Sequence, residues 1–180
     1  MSDLPFLDLH GNDFERGVEH GRVLKQAISE NLETYFERFN ASGLSADNAR
    51  QEGKKWAEVI AKQNAAYTKE MEGIAEGSGH VLSDIAMLNA RYEITFGLMK
   101  EEAAVIDLND QADGCTTFGV LPQATDNGHT VLGQNWDWLV GVYGRCTLMR
   151  VKRDQGPDFI CYTEAGIVGG KMGVNQHGIG

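Results

Sequence analysis

The spacing of apolar residues changes once along this chain, and that change limits the folds open to it. From residue 12 to about 100, apolar side chains recur at helical spacing. From residue 115 onward they sit in short β-prone runs separated by turn residues. Phe14, Val18, Leu24, Ile28, Leu32, Tyr35, Phe36 and Phe39 form the first helical stripe. Asn12 with Glu15 three residues on predicts a capping box at its start, and Ala41-Ser42-Gly43 ends it. A second helix is expected from about Ala46 into the 70s along Trp56, Ile60, Tyr67, Met71 and Ile74, with a break at Gly77-Ser78-Gly79. Ser83 is expected to cap a third helix carrying Ile85, Leu88 and Tyr92. Lys100 to Gly114 is acidic and polar without periodicity, and reads as a solvent-accessible linker.

Beyond the linker, strands are expected over Thr116 to Leu121, Thr130 to Val140, Cys146 to Lys152 and Phe159 to Thr163. Asp126-Asn127-Gly128 signals a hairpin turn, and Gln155-Gly156-Pro157-Asp158 a second turn. The glycines from Gly166 to Gly180 favour turns over a helix. Helices followed by an antiparallel meander predict an α+β fold, with N-terminal helices packed on one face of an antiparallel sheet. Two segments follow: 1–114, mainly helical, and 115–180, the start of the β part. The 180 residues, 42% hydrophobic and 23% charged, suit one soluble domain with its own core. A net charge of −10 argues against nucleic acid or an anionic membrane as partner. No basic leader with an apolar run stands at the N-terminus and no stretch approaches a membrane span, so a cytoplasmic location is expected. Cys115, Cys146 and Cys161 lack CxxC spacing and are expected to stay free thiols.

Chemistry concentrates at Asp113-Gly114-Cys115-Thr116-Thr117. Gly114 has no side chain to hinder attack of the Cys115 thiol on its carbonyl. A cut there would free an α-amine with a pKa near ~8 on the residue that carries the thiol, so nucleophile and general base would share one residue. From Gly-Cys alone, a buried structural cysteine is the commoner outcome. Gly133-Gln134-Asn135-Trp136-Asp137-Trp138 places Asn135 and Asp137 on one strand face, either as site groups or as a solvated face. A strict two-residue turn at Asn127-Gly128 would point Asp137 away from Cys115. An odd connection or a bulge would bring it round. Asn175, in Gly173-Val174-Asn175-Gln176-His177-Gly178, can offer a dipole to an oxyanion or simply close a turn. Thr163 to Asn175 imitates a phosphate loop but has Ala165 and Met172 where glycine and Ser/Thr are needed. Ala112 likewise spoils a calcium loop beginning at Asp107, and the histidines show no metal-ligand spacing. No metal or cofactor is expected.

Taken together, Asp113 to Thr117, Gly133 to Asp137, Thr163 to Ile167 with Gly173-Val174-Asn175, and upstream Glu70 to Gly77 and Asp84 to Arg91 resemble the acyl-coenzyme A:6-aminopenicillanate acyltransferase family of self-cleaving, peptidase-like cysteine N-terminal nucleophile (Ntn) hydrolases. The resemblance implies self-cleavage between Gly114 and Cys115, a four-layer αββα sandwich, and amide or thioester chemistry through a Cys115 acyl-thioester. It implies Cys115 as nucleophile, Asp137 and Asn135 as polar groups of the site, and Asn175 near the oxyanion. The relevant partners are then a small acylated amide or thioester and the protein's own cleaved N-terminal segment. An acyl-coenzyme A could serve as co-substrate. Only 65 residues follow Cys115 (180 − 115). Three helices and four strands do not close two stacked sheets between helix layers, so the sandwich is expected to be partial and the chain a fragment. The competing expectation is an inactive or truncated piece that only binds.

Overall fold

The computed structural model describes residues 4–102 and 115–180. Among the described residues, six α-helices and six strands make it an α+β structure: β1 (Phe6–Leu9), α1 (Asp13–Val23), α2 (Lys25–Ala41), α3 (Ala46–Gln63), α4 (Ala65–Ser78), α5 (Leu82–Asn89), α6 (Arg91–Glu102), β2 (Thr116–Val120), β3 (Val131–Asn135), β4 (Cys146–Val151), β5 (Phe159–Glu164) and β6 (Met172–Asn175). Each helical stripe read from the sequence is split in two. Leu24 leaves helical geometry between α1 and α2. Asn64 is extended between α3 and α4, and its side chain accepts the Tyr67 N–H to cap α4. The Asn12–Glu15 capping box is present, with both reciprocal bonds formed. Ser83 is not a cap. It lies in the first turn of α5, whose N-cap is Val81 without a side-chain bond. Gly77 is helical, and the chain leaves α4 at Gly79, where φ is 77°. Of the expected linker, residues 100–102 belong to α6 and 103–114 lie outside the described residues.

Four strands form one sheet in the order β1-β4-β5-β6, and β2 pairs with β3 in a separate hairpin. The meander β4-β5-β6 is antiparallel as expected, but β1, which the sequence reading missed, joins its edge in parallel. The register puts Leu7, Leu9, Met149, Val151 and Cys161 on one face, where they pack with Ile28, Leu32, Met71, Ile74 and Ile85 of the helices. Phe6, Ile160, Tyr162, Met172 and Val174 share the other face, and Phe6, Ile160 and Val174 remain exposed. Helices therefore cover one face only, as alternation along each strand requires.

Glycines set the distance between α1 and α4. A Cβ on Gly17 would lie 2.1 Å from the Glu70 carbonyl oxygen, and one on Gly73 would lie 2.2 Å from that of Phe14. Gly21 and Gly77 meet the Ile74 and Val18 carbonyls at 2.4 and 2.1 Å in the same way. No rotamer relieves a backbone contact of this kind, so Gly73→Ala is expected to destabilise the protein by about 3 kcal/mol through overpacking. Thermal unfolding checks this, with an expected fall in Tm of roughly 6–12 °C.

His20, fully buried in α1, ties that helix to the loop after β5. Its Nε2 accepts the Gly166 N–H at 2.9 Å, so Nδ1 carries the proton and is left without a partner. Burial pulls its pKa down from 6.5 to about 4. In that window the unfolded chain binds the proton that the folded state refuses. Stability is therefore complete above pH 6.5 and declines as the pH falls towards 4, by about 3 kcal/mol in total. Denaturant titrations between pH 7 and 4 should show that decline in the wild type, and a smaller one in His20→Gln.

Candidate active site

The end of β5 carries a carboxylate in a position normally reserved for apolar side chains. Glu164 is fully buried, and both its oxygens are occupied. Oε1 receives Arg91 Nε at 3.1 Å, with Arg91 Nη2 at 2.9 Å and Lys171 Nζ at 2.8 Å. Oε2 accepts the Tyr35 hydroxyl at 2.7 Å. Tyr35 in turn accepts Trp138 Nε1 at 2.6 Å and Arg91 Nε at 3.0 Å. Burial, followed by the Glu164 charge, raises the Tyr35 phenol far above its ordinary pKa and keeps it neutral. Lys171 also donates to the Tyr92 hydroxyl at 2.8 Å, and its ammonium lies 4.1 Å from the Trp136 ring centroid. The Trp136 and Trp138 rings stack at 6.3 Å. Seven side chains from α2, α6, β5 and two loops thus form one cluster around the segment that carries Asp137. None of the seven is read as a site group from the sequence: Tyr35 and Tyr92 stand there only in helical stripes, and Glu164 and Arg91 lie in the stretches that carry the family resemblance.

Cys115 stands at the head of β2 and is exposed, whereas Cys146 and Cys161 are buried. This removes the buried-structural reading of Cys115. Burial pushes the other two thiols up, Cys161 to about 11, and makes them poor nucleophiles. Gly114 lies outside the described residues. β2 and β3 pair without a bulge: Thr116 faces Asn135, Thr117 faces Gln134 and Gly119 faces Leu132. In place of a tight turn at Asn127-Gly128, an even-numbered connection from Leu121 to Thr130 joins them through a 3-10 turn at Pro122–Ala124. Alternation therefore puts Thr117, Gly119, Leu132 and Gln134 on the side that Cys115 would continue, and Asn135 on the other. β3 stops at Asn135, short of the Val140 expected from the sequence, so Asp137 lies in the following coil.

Two clefts flank this region. One, of about 990 Å³, lies between the hairpin and β6, and its wall includes Thr117, Gly119, Leu132, Gln134 and Lys171. The other, of about 490 Å³, is lined by Asp137 together with Trp136, Trp138, Tyr143, Cys146 and Tyr162. Asn175 ends β6. Its Oδ1 accepts the His177 and Ile179 N–H groups, each at 3.0 Å, so the amide oxygen is committed to the turn and the NH2 group is left as the donor. Asn175 lines a third, smaller cleft beside β6, and is not among the residues lining the other two. The structure thus groups Asn135 with the Cys115 hairpin, Asp137 with the aromatic cleft, and Asn175 with the β6 turn. It does not gather the four into one bonded constellation.

No protein-family model matches the chain. Over 170 residues it is 29% identical to the acyl-coenzyme A:6-aminopenicillanic-acid-acyltransferase 40 kDa form of Emericella nidulans, a match that covers 94% of this chain. The chain is a relative of that acyltransferase. The match bears out the family resemblance read from the motifs. The chain spans about 43% of the length of this acyltransferase relative. Among the described residues, no helix is long and apolar enough to cross a membrane.

Proposed function

We propose that this protein is a self-processing cysteine enzyme of the acyltransferase family, acting on the amide or thioester bond of small acylated molecules. The observation that carries the proposal is the placement of Cys115. It is an exposed thiol that opens the strand forming one wall of the largest of these clefts, in a chain related to an acyltransferase.

The reaction has two stages. In the first, the Cys115 thiol attacks the Gly114 carbonyl. The peptide C–N bond gives way to a thioester, and water then hydrolyses the thioester. Gly114 leaves as a carboxylate, and Cys115 keeps its thiol and gains a free α-amine. Helices and β part share one core, in which Ile28 and Leu32 pack with Met149 and Cys161, so the two pieces would stay together after the cut. In the second stage the α-amine takes the thiol proton while sulfur attacks the substrate carbonyl. The oxyanion is met by donors such as the Asn175 NH2 group, and the leaving amine takes up the proton. Water or an amine then resolves the acyl-thioester, and the choice between them separates hydrolysis from transfer. The family resemblance keeps Asn135 and Asp137 as polar groups of the site, Asn135 from the other side of the hairpin and Asp137 from the coil that follows it. The chemistry needs no cofactor beyond an acyl-coenzyme A as an acyl donor. Helices packed on one face of a four-stranded sheet, with a separate hairpin, are compatible with part of an αββα Ntn sandwich.

The test is to incubate the protein with an activated small acyl ester and digest it after acid quenching. The added acyl mass is expected on the fragment that begins with Cys115. Acylation of other residues with Cys115 unmodified would contradict the proposal.

A further inference from the structure

Arg16 and Glu70 form a buried ion pair between α1 and α4, and each side of the pair is short of partners. Arg16 is 3% exposed. Its Nη1 donates to the Gly11 carbonyl at 2.6 Å, and its Nη2 donates to Asp13 and, at 3.3 Å, to Glu70 Oε2. Its Nε is buried and has no partner among the described residues. A buried donor left in that state costs about 1–3 kcal/mol. Glu70 has the opposite deficit. The long contact with Arg16 is the one hydrogen bond its side chain accepts among the described residues. Burial raises its carboxyl above the usual carboxylate range, against the pull of Arg16. The helices cannot move in to shorten the contact, because the Gly17 backbone already lies against the Glu70 carbonyl.

Both residues line a cavity of about 140 Å³, with room for about four or five waters at ~30 Å³ each. Asp13 and Arg153 line it as well, so its wall carries two cations and two carboxylates. Tyr67 and Phe159 add aromatic surface. Its lining residues are all different from those of the two clefts beside the hairpin and Asp137. A lone anion here would meet Asp13 and Glu70, and a lone cation would meet Arg16 and Arg153. A short molecule with one charge of each sign meets neither obstacle. Its carboxylate can take the Arg16 Nε–H and the Arg153 guanidinium, and its ammonium can donate to the open Glu70 oxygen.

We propose that this cavity binds a small amino acid of the size of glycine or alanine as its zwitterion, with the carboxylate on Arg16 and Arg153 and the ammonium on Glu70. The site does not depend on the Cys115 reading.

Calorimetric titration of the protein expressed from its own gene tests the site with three probes: glycine, acetate and methylammonium. Glycine is expected to bind saturably at about millimolar concentration. Acetate and methylammonium should each bind at least about tenfold more weakly, because each keeps one of the two charged contacts. The Arg16 Nε–H resonance in a proton–nitrogen correlation spectrum should shift as glycine fills the cavity. Arg153 is exposed, so Arg153→Gln should weaken glycine about tenfold while Tm stays unchanged. Glu70→Gln should weaken glycine as well. Thermal unfolding confirms that each variant is folded, and the Arg153 variant decides the matter if the Glu70 variant is not. Glycine binding should persist in Cys115→Ala. Absence of saturable glycine binding by the wild type, with water alone in the cavity, would overturn the proposal. So would acetate or methylammonium binding as tightly as glycine, glycine binding unchanged in folded Arg153→Gln, or glycine binding lost in folded Cys115→Ala.

Discussion

Glu164→Gln is expected to destabilise the protein by about 3–5 kcal/mol, a large share of the stability of an ordinary domain. The change preserves shape and removes the one negative charge that holds Arg91 and Lys171. It also replaces an acceptor with an NH2 group facing the donors of those two cations. Tyr35 loses its charged acceptor on the other oxygen, and with it part of the seat for Trp138. Chemical denaturation at pH 7 measures the loss. Combining the substitution with Lys171→Met should cost 1–3 kcal/mol less than the sum of the two single changes, because one of the stranded cations goes with it. A Glu164→Gln protein within about 1 kcal/mol of the wild type would show that the carboxylate does not organise the cluster.

That cluster also marks where sequence reading ran out. Helical spacing from Phe14 to Tyr92 and the β-prone runs after Cys115 were legible because each is a local repeat, and the Asn12–Glu15 cap was legible because it spans three residues. The breaks at Leu24 and Asn64 were not. The apolar stripe continues through both, and tertiary packing decides where a stripe must bend. β1 is only four residues long and reveals itself only by pairing with β4, far along the chain. The register of the Cys115 hairpin depended on whether the connection was odd or even. Asn127-Gly128 pointed to a tight turn, but Pro122–Ala124 took up the slack. Tyr35, Arg91, Glu164 and Lys171 are dispersed over more than half the chain, and no local spacing links them. A glutamate between Thr163 and Ala165 in an otherwise apolar strand was the one available hint that a buried cation would be needed.

Cys115→Ala is expected to lower acyl turnover by a factor on the order of 10⁴ or more, as loss of a covalent nucleophile does in enzymes whose groups act as a unit. Its thiol is exposed, so the same substitution should change stability by no more than about 0.5 kcal/mol. A drop in activity with unchanged unfolding separates a chemical role from a structural one. Cys146→Ala and Cys161→Ala should behave in the opposite way. Both residues are buried in the core, and Cys161 packs on the helix-facing side of the sheet, so those changes weaken the fold first.

The central claim is that Cys115 releases itself and then acts from its own α-amine. Intact mass of the protein expressed from its own gene, wild type beside Cys115→Ala, tests it most directly. The account predicts two chains from the wild type, the second beginning at Cys115, and one uncut chain from the alanine variant. A catalytically active wild type that remains a single chain, or an alanine variant that splits cleanly at the same bond, would contradict it.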